Sequence, residues 1–336
     1  MLRLHLNENP YQMPQELLAE ALQGPLNLNL YPEEASARLS ALYARYAGEA
    51  AGLPGAVSPA QVVPTRGGDE AIDLTALALR AAVKQVVIAP PTFGEYARAA
   101  GLAGLPVTQV PLTADFQLDL PALVAAASQA PSLVYICNPN NPTGNLVAAE
   151  TALEELTRVG AWVVIDEAYY EFSGRTLLPL TQRYPNLIII RTLSKAFALA
   201  GARLGFAIAA EPLARRLHAT RALFNLDAIT AAVAAVALSH PEYARELAAR
   251  IAAGRAELIA GLAAIPALEP YPSCTNFVLV RCPQPAAELR AALAARGVLV
   301  RHYPDQPALT YCLRISVGTP DEIAGCLSAL RDALAG

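Results

Sequence analysis

The sequence predicts an α/β fold: a large domain with a mostly parallel sheet and helices on both faces, joined to a smaller α+β domain. Three observations lead there. Short apolar, β-rich runs alternate with helical segments through the first two thirds of the chain, the pattern of a parallel sheet covered on both faces. Near Leu226 the texture changes to a long alanine-rich helical stretch followed by three further strand-like runs. Each early run also ends in a cluster of polar or aromatic residues. The division assigns residues 25–225 to the larger domain, and residues 1–24 and 226–336 to the smaller.

Taken in order, residues 14–22 read as a short helix, with proline in its first turn and Gly24 beyond its end. Residues 69–82 carry Ile72, Thr75, Ala76 and Leu79 at helical spacing. Strand-like runs follow at 86–89, 133–137, 162–165, 187–190 and 204–209, apolar throughout, with a helical segment at 148–159 filling one of the gaps. In the tail the helical stretch runs to about residue 265 and is broken by Pro241. Strands are expected at 276–281, 298–302 and 311–317, with a helix at 284–295 between the first two. The last helix opens on Thr319-Pro320-Asp321-Glu322, a capping box with proline at the first helical position.

Composition narrows the function classes. Of 336 residues 54% are hydrophobic and only 16% charged, which excludes a disordered chain or a coiled coil. The net charge of -4 argues against a nucleic-acid partner. No apolar run has the length of a membrane span, and Met1 opens no signal segment. Cys137, Cys274, Cys282, Cys312 and Cys326 form no CxxC pair, which fits a reducing cytoplasm. His5, His218, His240 and His302 have no metal-ligand spacing, so no metal site is expected. The basic residues are nearly all arginine: Lys84 and Lys195 are the only lysines.

The chemistry sits where the strand-like runs end. The first leads to Phe93, the second to Asn138-Pro139-Asn140-Asn141, the third to Asp166-Glu167-Ala168-Tyr169 and the fourth to Ser194-Lys195. Open α/β sheets bind ligands at the carboxyl ends of their strands. A lysine amine condenses with carbonyls, a buried carboxylate holds a ring nitrogen protonated, and an aromatic face stacks on a flat ring. Pyridoxal phosphate asks for those three groups. Lys84 precedes a strand, at the other end, and reads as a surface residue. Thr65-Arg66-Gly67-Gly68-Asp69-Glu70 leads into a helix, so the Gly68 and Asp69 amides can face a phosphate, and Ser194 and Arg203 can complete that shell. Arg301 and Arg314 each interrupt an apolar strand, so each is expected to be buried and to face an anion, either a substrate or a structural partner such as Asp305 or Glu322.

The segment from Arg191 to Phe206, with Ser194-Lys195 and Ala202-Arg203-Leu204-Gly205 inside it, resembles the lysine segment of class II-type, fold-type I aminotransferases. It is most similar to the histidinol-phosphate aminotransferase branch. Asn7-Glu8-Asn9-Pro10-Tyr11, Tyr31-Pro32, Asn140-Asn141-Pro142-Thr143-Gly144, Asp166-Glu167-Ala168-Tyr169 and Leu313-Arg314-Ile315-Ser316 match in the same order. The resemblance implies a pyridoxal-phosphate-dependent transferase fold, with Lys195 joined to the cofactor and then moving protons. Asp166 would pair with the ring nitrogen, Phe93 would stack on the ring, and Asn141 and Tyr169 would bind its oxygen. Gly68, Asp69, Ser194 and Arg203 would hold the phosphate, joined by Tyr31 from the other subunit of a homodimer. Arg314 would take a substrate carboxylate, while Arg301 and Tyr11 would read the distal phosphate of histidinol phosphate, with 2-oxoglutarate as acceptor.

The chain departs from that pattern at Gln12, where glycine is usual, at Leu223 ahead of Phe224-Asn225, where proline is usual, and in having six residues before Asn7. Threonine-phosphate decarboxylase and aromatic-amino-acid aminotransferase share the lysine and the aspartate and stay open as alternatives. A non-catalytic metabolite-binding protein on the same fold is the distant one.

Overall fold

The structure, a computed structural model, describes residues 1–24 and 26–335. Pro25 and Gly336, the first residue of the expected larger domain and the last of the smaller, lie outside the described residues. The chain opens with β1 (Leu2–Arg3), α1 (Gln15–Gln23) and α2 (Ala35–Ala50). Then β2 (Val62–Thr65) leads into α3 (Gly67–Leu79), and β3 (Gln85–Ile88) into α4 (Glu95–Leu102). The alternation continues through β4 (Val107–Gln109), α5 (Leu120–Ser128), β5 (Ser132–Cys137), α6 (Ala149–Arg158) and β6 (Trp162–Asp166). The short α7 (Tyr170–Ser173) precedes β7 (Leu187–Thr192), β8 (Gly205–Ala209) and α8 (Glu211–Thr220). The tail holds α9 (Ala228–Ser239), α10 (Glu242–Ala263), β9 (Glu269–Pro270), β10 (Phe277–Arg281), α11 (Ala286–Ala295), β11 (Val298–Leu299), β12 (Cys312–Ser316) and α12 (Pro320–Ala335).

Seven strands form one sheet in the order β2-β8-β7-β6-β5-β3-β4. Side chains on each strand alternate between its faces, and here both faces are buried. Val134 and Ile136 of β5, Val163 and Ile165 of β6, and Leu187 and Ile189 of β7 enter one core. Leu133, Tyr135, Val164, Ile188 and Ile190 enter the other. Each such aliphatic side chain contributes roughly 1.5–3 kcal/mol by leaving water, which is why these runs read as continuously apolar.

Two strand expectations are corrected. Residues 204–209 are expected among the parallel strands, yet β8 runs antiparallel to both β2 and β7. Its connection from β7 carries a single 3-10 turn (Ala200–Ala202) in place of the crossover helix that parallel pairing uses. Residues 298–302 are expected as one strand, but β11 ends at Leu299, where it pairs in parallel with β1. The chain then switches partner: Arg301 N donates to Arg314 O (3.0 Å) and Arg314 N to Arg301 O (2.8 Å), an isolated bridge to β12.

Local signals explain the helices. Asp119 caps α5 by accepting from Ala122 N (3.1 Å), and Asp227 caps α9 through Thr230 N (2.8 Å). The capping box of α12 is formed: Thr319 N donates to Glu322 Oε2 (2.8 Å) and Glu322 N to Thr319 Oγ1 (3.3 Å). Pro241 separates α9 from α10. Helix α10 buries Tyr243, Leu247, Ile251, Leu258 and Leu262, a stripe at helical spacing. In the tail β12, β10 and β9 form a three-stranded antiparallel sheet, and α9 packs on α1 and α2.

Candidate active site

The parallel strands β3, β5, β6 and β7 point their carboxyl ends at one cavity of about 560 Å³. Its wall takes Phe93 from beyond β3, Cys137 and Asn141 from β5 and its turn, Asp166 and Tyr169 from β6, and Thr192, Ser194 and Lys195 from β7. Gly68 and Asp69 of α3 and Arg203 line it too, as do His5 to Glu8 near the N-terminus and Arg301 and Arg314 from the tail. Lys84 is exposed and precedes β3, at the opposite end of the sheet.

Lys195 is half-buried, and its Nζ donates to the main-chain oxygen of Asn7 at 3.2 Å. Burial, helped by the Arg314 guanidinium, lowers its amine from the ordinary 10.5 to about 8. Asp166 is 4% exposed. Tyr96 Oη donates to its Oδ2 at 2.8 Å and Ala168 N to its Oδ1 at 3.0 Å. Burial raises this carboxyl to about 6, and those two donors oppose the rise without cancelling it. Tyr96 stacks on Tyr135 (ring centroids 4.9 Å apart) and meets Phe93 edge to face at 5.8 Å. A buried carboxylate is stabilised in its charged form by a cation placed beside it.

At another part of the wall α3 begins at Gly67. Gly67 has φ of +74°, a conformation glycine adopts without strain, and a Cβ there would stand 2.8 Å from Arg203 Nη2, so the guanidinium would have to shift to accommodate one. Arg203 Nη2 donates to Asp69 Oδ2 at 2.7 Å. Thr192 Oγ1 lies 2.9 Å from Ser194 Oγ. Free amides at a helix start, a hydroxyl and an arginine make a phosphate cradle.

Arg314 is 7% exposed and pairs with no carboxylate among the described residues. Its Nη1 donates to Asn141 Oδ1 (2.6 Å) and its Nη2 to His5 O (2.8 Å), while Nε has no partner. Glu322, one structural partner considered from the sequence, is engaged in the α12 cap. Arg301 corrects an expectation: it lines the cavity but is exposed rather than buried, because the chain leaves β11 two residues earlier. It too has no carboxylate partner among the described residues, Asp305 included.

The cavity thus gathers Gly68, Asp69, Phe93, Asn141, Asp166, Tyr169, Ser194, Lys195, Arg203, Arg301 and Arg314. Tyr11 and Tyr31 do not line it. The Tyr11 ring lies beneath the Arg250 guanidinium at 3.5 Å. Tyr31 is 74% exposed and stacks on Phe224 at 4.6 Å. Sequence reasoning missed Tyr96, whose only signal is its place three residues after Phe93 beyond the same strand. It also gave no role to Glu167 and Arg191, a buried ion pair with Nη2 to Oε2 at 2.7 Å.

The residues fit a pyridine ring bearing an aldehyde and a phosphate: a lysine of lowered pKa, a buried carboxylate seeking a cation, and an anion cradle at a helix start, in a cavity of ligand size. The comparisons agree. The family model for "Aminotransferase class I and II" matches residues 1–330. The chain is 40% identical over 335 residues to the histidinol-phosphate aminotransferase of Cronobacter sakazakii, covering 97% of this chain and 89% of that one. It is 38% identical over 337 residues to that of Chromobacterium violaceum, covering 98% and 91%. The histidinol-phosphate aminotransferase of Sinorhizobium meliloti, solved in complex with pyridoxal-5'-phosphate, superposes with a TM-score of 0.86 at 29% identity, covering 99% of this chain and 90% of that one. The chain belongs to the class I and II aminotransferases.

Proposed function

We propose that the protein is a pyridoxal-phosphate-dependent aminotransferase that moves an amino group between L-histidinol phosphate and 2-oxoglutarate. The observation that carries this reading is that one cavity is lined by the chain's strand-end lysine, Lys195, by Asp166 at 4% exposure, and by Arg301 and Arg314, which have no carboxylate partner among the described residues. The relatives named above supply the substrate. When bound, pyridoxal phosphate supplies an aldehyde that condenses with amines and a ring that accepts the negative charge left when the adjacent carbon loses a proton.

The residues of this chain do the rest. Lys195 would hold the aldehyde and, once freed, would serve as the base that takes the proton from the substrate carbon and gives it back. Lowering the amine from 10.5 to about 8 brings its unprotonated, proton-accepting form within reach near neutral pH. Asp166, ionised against the ring nitrogen, keeps that nitrogen charged. Phe93 lies against the ring, and Asn141 and Tyr169 meet its oxygen. The amides of Gly68 and Asp69, the Ser194 hydroxyl and Arg203 grip the phosphate. Arg314 takes the carboxylate of glutamate or 2-oxoglutarate, and Arg301 the distal phosphate. Tyr11 joins that end in this reading by leaving its packing under Arg250.

Tyr31, exposed on its own chain and not among the residues lining its own cavity, fits donation to a second copy in a homodimer. Residues 25–225 and residues 1–24 with 226–336 would form the two domains around the cavity. The cysteines are free, and no helix among the described residues is long and apolar enough to cross a membrane; both support a cytoplasmic enzyme. The reading is tested by Lys195→Ala. Wild-type protein should bind pyridoxal phosphate with a visible absorbance band that borohydride fixes irreversibly, and the variant should lose both the fixation and turnover. Covalent fixation at another residue would overturn it.

A further inference from the structure

Asn7 has no role in the reading above, yet it ties the cavity together. It is 2% exposed, in left-handed backbone (φ 54°) that asparagine tolerates better than most residues. Its main-chain N donates to Ser316 Oγ (2.9 Å), and its main-chain O accepts from Lys195 Nζ (3.2 Å) and Asn276 Nδ2 (2.9 Å). Its side chain is held at both ends: Ser316 Oγ donates to Asn7 Oδ1 (3.2 Å), and Asn7 Nδ2 donates to Tyr169 Oη (3.0 Å).

Ser316 Oγ accepts the Asn7 main-chain N–H and gives its single proton to Oδ1, so the amide oxygen faces Ser316 and the amide nitrogen faces Tyr169. An NH2 group only donates, so the Tyr169 hydroxyl accepts there and its own proton is left for the cavity. Tyr169 is 4% exposed, and its ring is held edge to face against Phe277 at 5.2 Å. Burial raises its hydroxyl pKa, so it stays a neutral donor.

We infer that Asn7 is a positioning residue that makes the Tyr169 hydroxyl an obligate donor into the cavity, toward an anionic oxygen of the bound cofactor. The inference rests on the reading that this cavity takes pyridoxal phosphate. Asn7→Asp replaces the amide donor by an acceptor of the same shape, so Tyr169 would turn its proton away from the cavity. Ser316→Ala acts more gently: Ser316 does not line the cavity, and without its hydroxyl the Asn7 amide is free to turn over.

The test is a pH titration of the visible absorbance of each holoprotein, with release of pyridoxal phosphate on dilution as a second reading. Losing a donor to an anionic oxygen raises the proton affinity of the group that carries it. Asn7→Asp should raise the titration midpoint by about one pH unit, the size of a lost hydrogen bond to a charged group, and should speed release. Ser316→Ala should move both in the same direction by less. Tyr169→Phe should reproduce the rise, and in the Tyr169→Phe background Asn7→Asp should add little.

Wild-type midpoints in both Asn7→Asp and Ser316→Ala would overturn the inference. So would a rise from Asn7→Asp that persists undiminished in the Tyr169→Phe background, since it would then be a field effect of the new charge. If Asn7→Asp does not fold, the midpoint and release of Ser316→Ala decide. A wild-type protein that never takes up pyridoxal phosphate would instead overturn the functional reading itself.

Discussion

Burial lifts the Asp166 carboxyl from its ordinary 3.8 to about 6, and this has a consequence for the protein without cofactor. Between about pH 4 and 6 the folded chain holds a proton there that the unfolded chain has lost, so stability falls as pH rises through that window. Above it the ionised, ring-free carboxylate costs about 3 kcal/mol. Apoprotein carrying Asp166→Asn should therefore exceed wild type in urea stability at pH 7.5 by up to that amount, with the difference vanishing near pH 3.5. Arg301 gives a second prediction at this scale. Arg301→Ala should lower kcat/KM for histidinol phosphate about tenfold to a hundredfold, as for a lost charge-assisted bond, and leave glutamate nearly unchanged. Equal losses on both substrates would make Arg301 structural. Lys195 and Asp166 were legible in the sequence because lysine is scarce and both follow apolar strands. Tyr96 was not, because a tyrosine inside a helix announces packing, and only the folded chain shows its hydroxyl 2.8 Å from Asp166.

Strand ends bring the site residues together, and the buried Glu167–Arg191 pair fastens two of those ends. Arg191, on β7, lies three residues before Ser194; Glu167 follows Asp166 at the end of β6. Arg191 Nε also donates to Glu167 Oε2 (2.8 Å), Leu177 N donates to Oε1 (2.7 Å), and the guanidinium lies over Tyr170 at 3.6 Å. Removing one partner leaves an uncompensated buried charge. Glu167→Ala should lower stability by about 3–5 kcal/mol, measured by urea unfolding, and a loss below 1 kcal/mol would show that the ends are held otherwise. At this scale the sequence was readable for long, purely apolar runs such as β5 to β7. It was silent on β2, which contains Pro64, and on the three-residue β4, whose residues are only partly buried or exposed. The antiparallel sense of β8 left no trace either, since an apolar run buried on both faces looks the same in either direction.

Across the whole molecule, the strand ends of the sheet supply Phe93, Asn141, Asp166, Tyr169 and Lys195 to the cavity, while the N-terminal segment and the tail supply Asn7, Arg301 and Arg314. Mostly parallel architecture was predictable from alternation alone, and the resemblance named Arg301 and Arg314 of the tail, which both line the cavity; the exposure of Arg301 was not predictable, because it depends on the partner switch beyond β11. Family membership, together with Lys195 and Asp166 facing one cavity, leaves a purely non-catalytic protein without support from the site. The substrate is the open end of the reading, and decarboxylation on the same scaffold is its competitor. One measurement addresses both. Protein loaded with pyridoxal phosphate is mixed with L-histidinol phosphate without acceptor, its visible absorbance is followed, and 2-oxoglutarate is then added. The account predicts that the visible band bleaches stoichiometrically with histidinol phosphate and returns with 2-oxoglutarate as glutamate appears. No bleaching with histidinol phosphate, alongside carbon dioxide release from L-threonine O-3-phosphate without any acceptor, would contradict it.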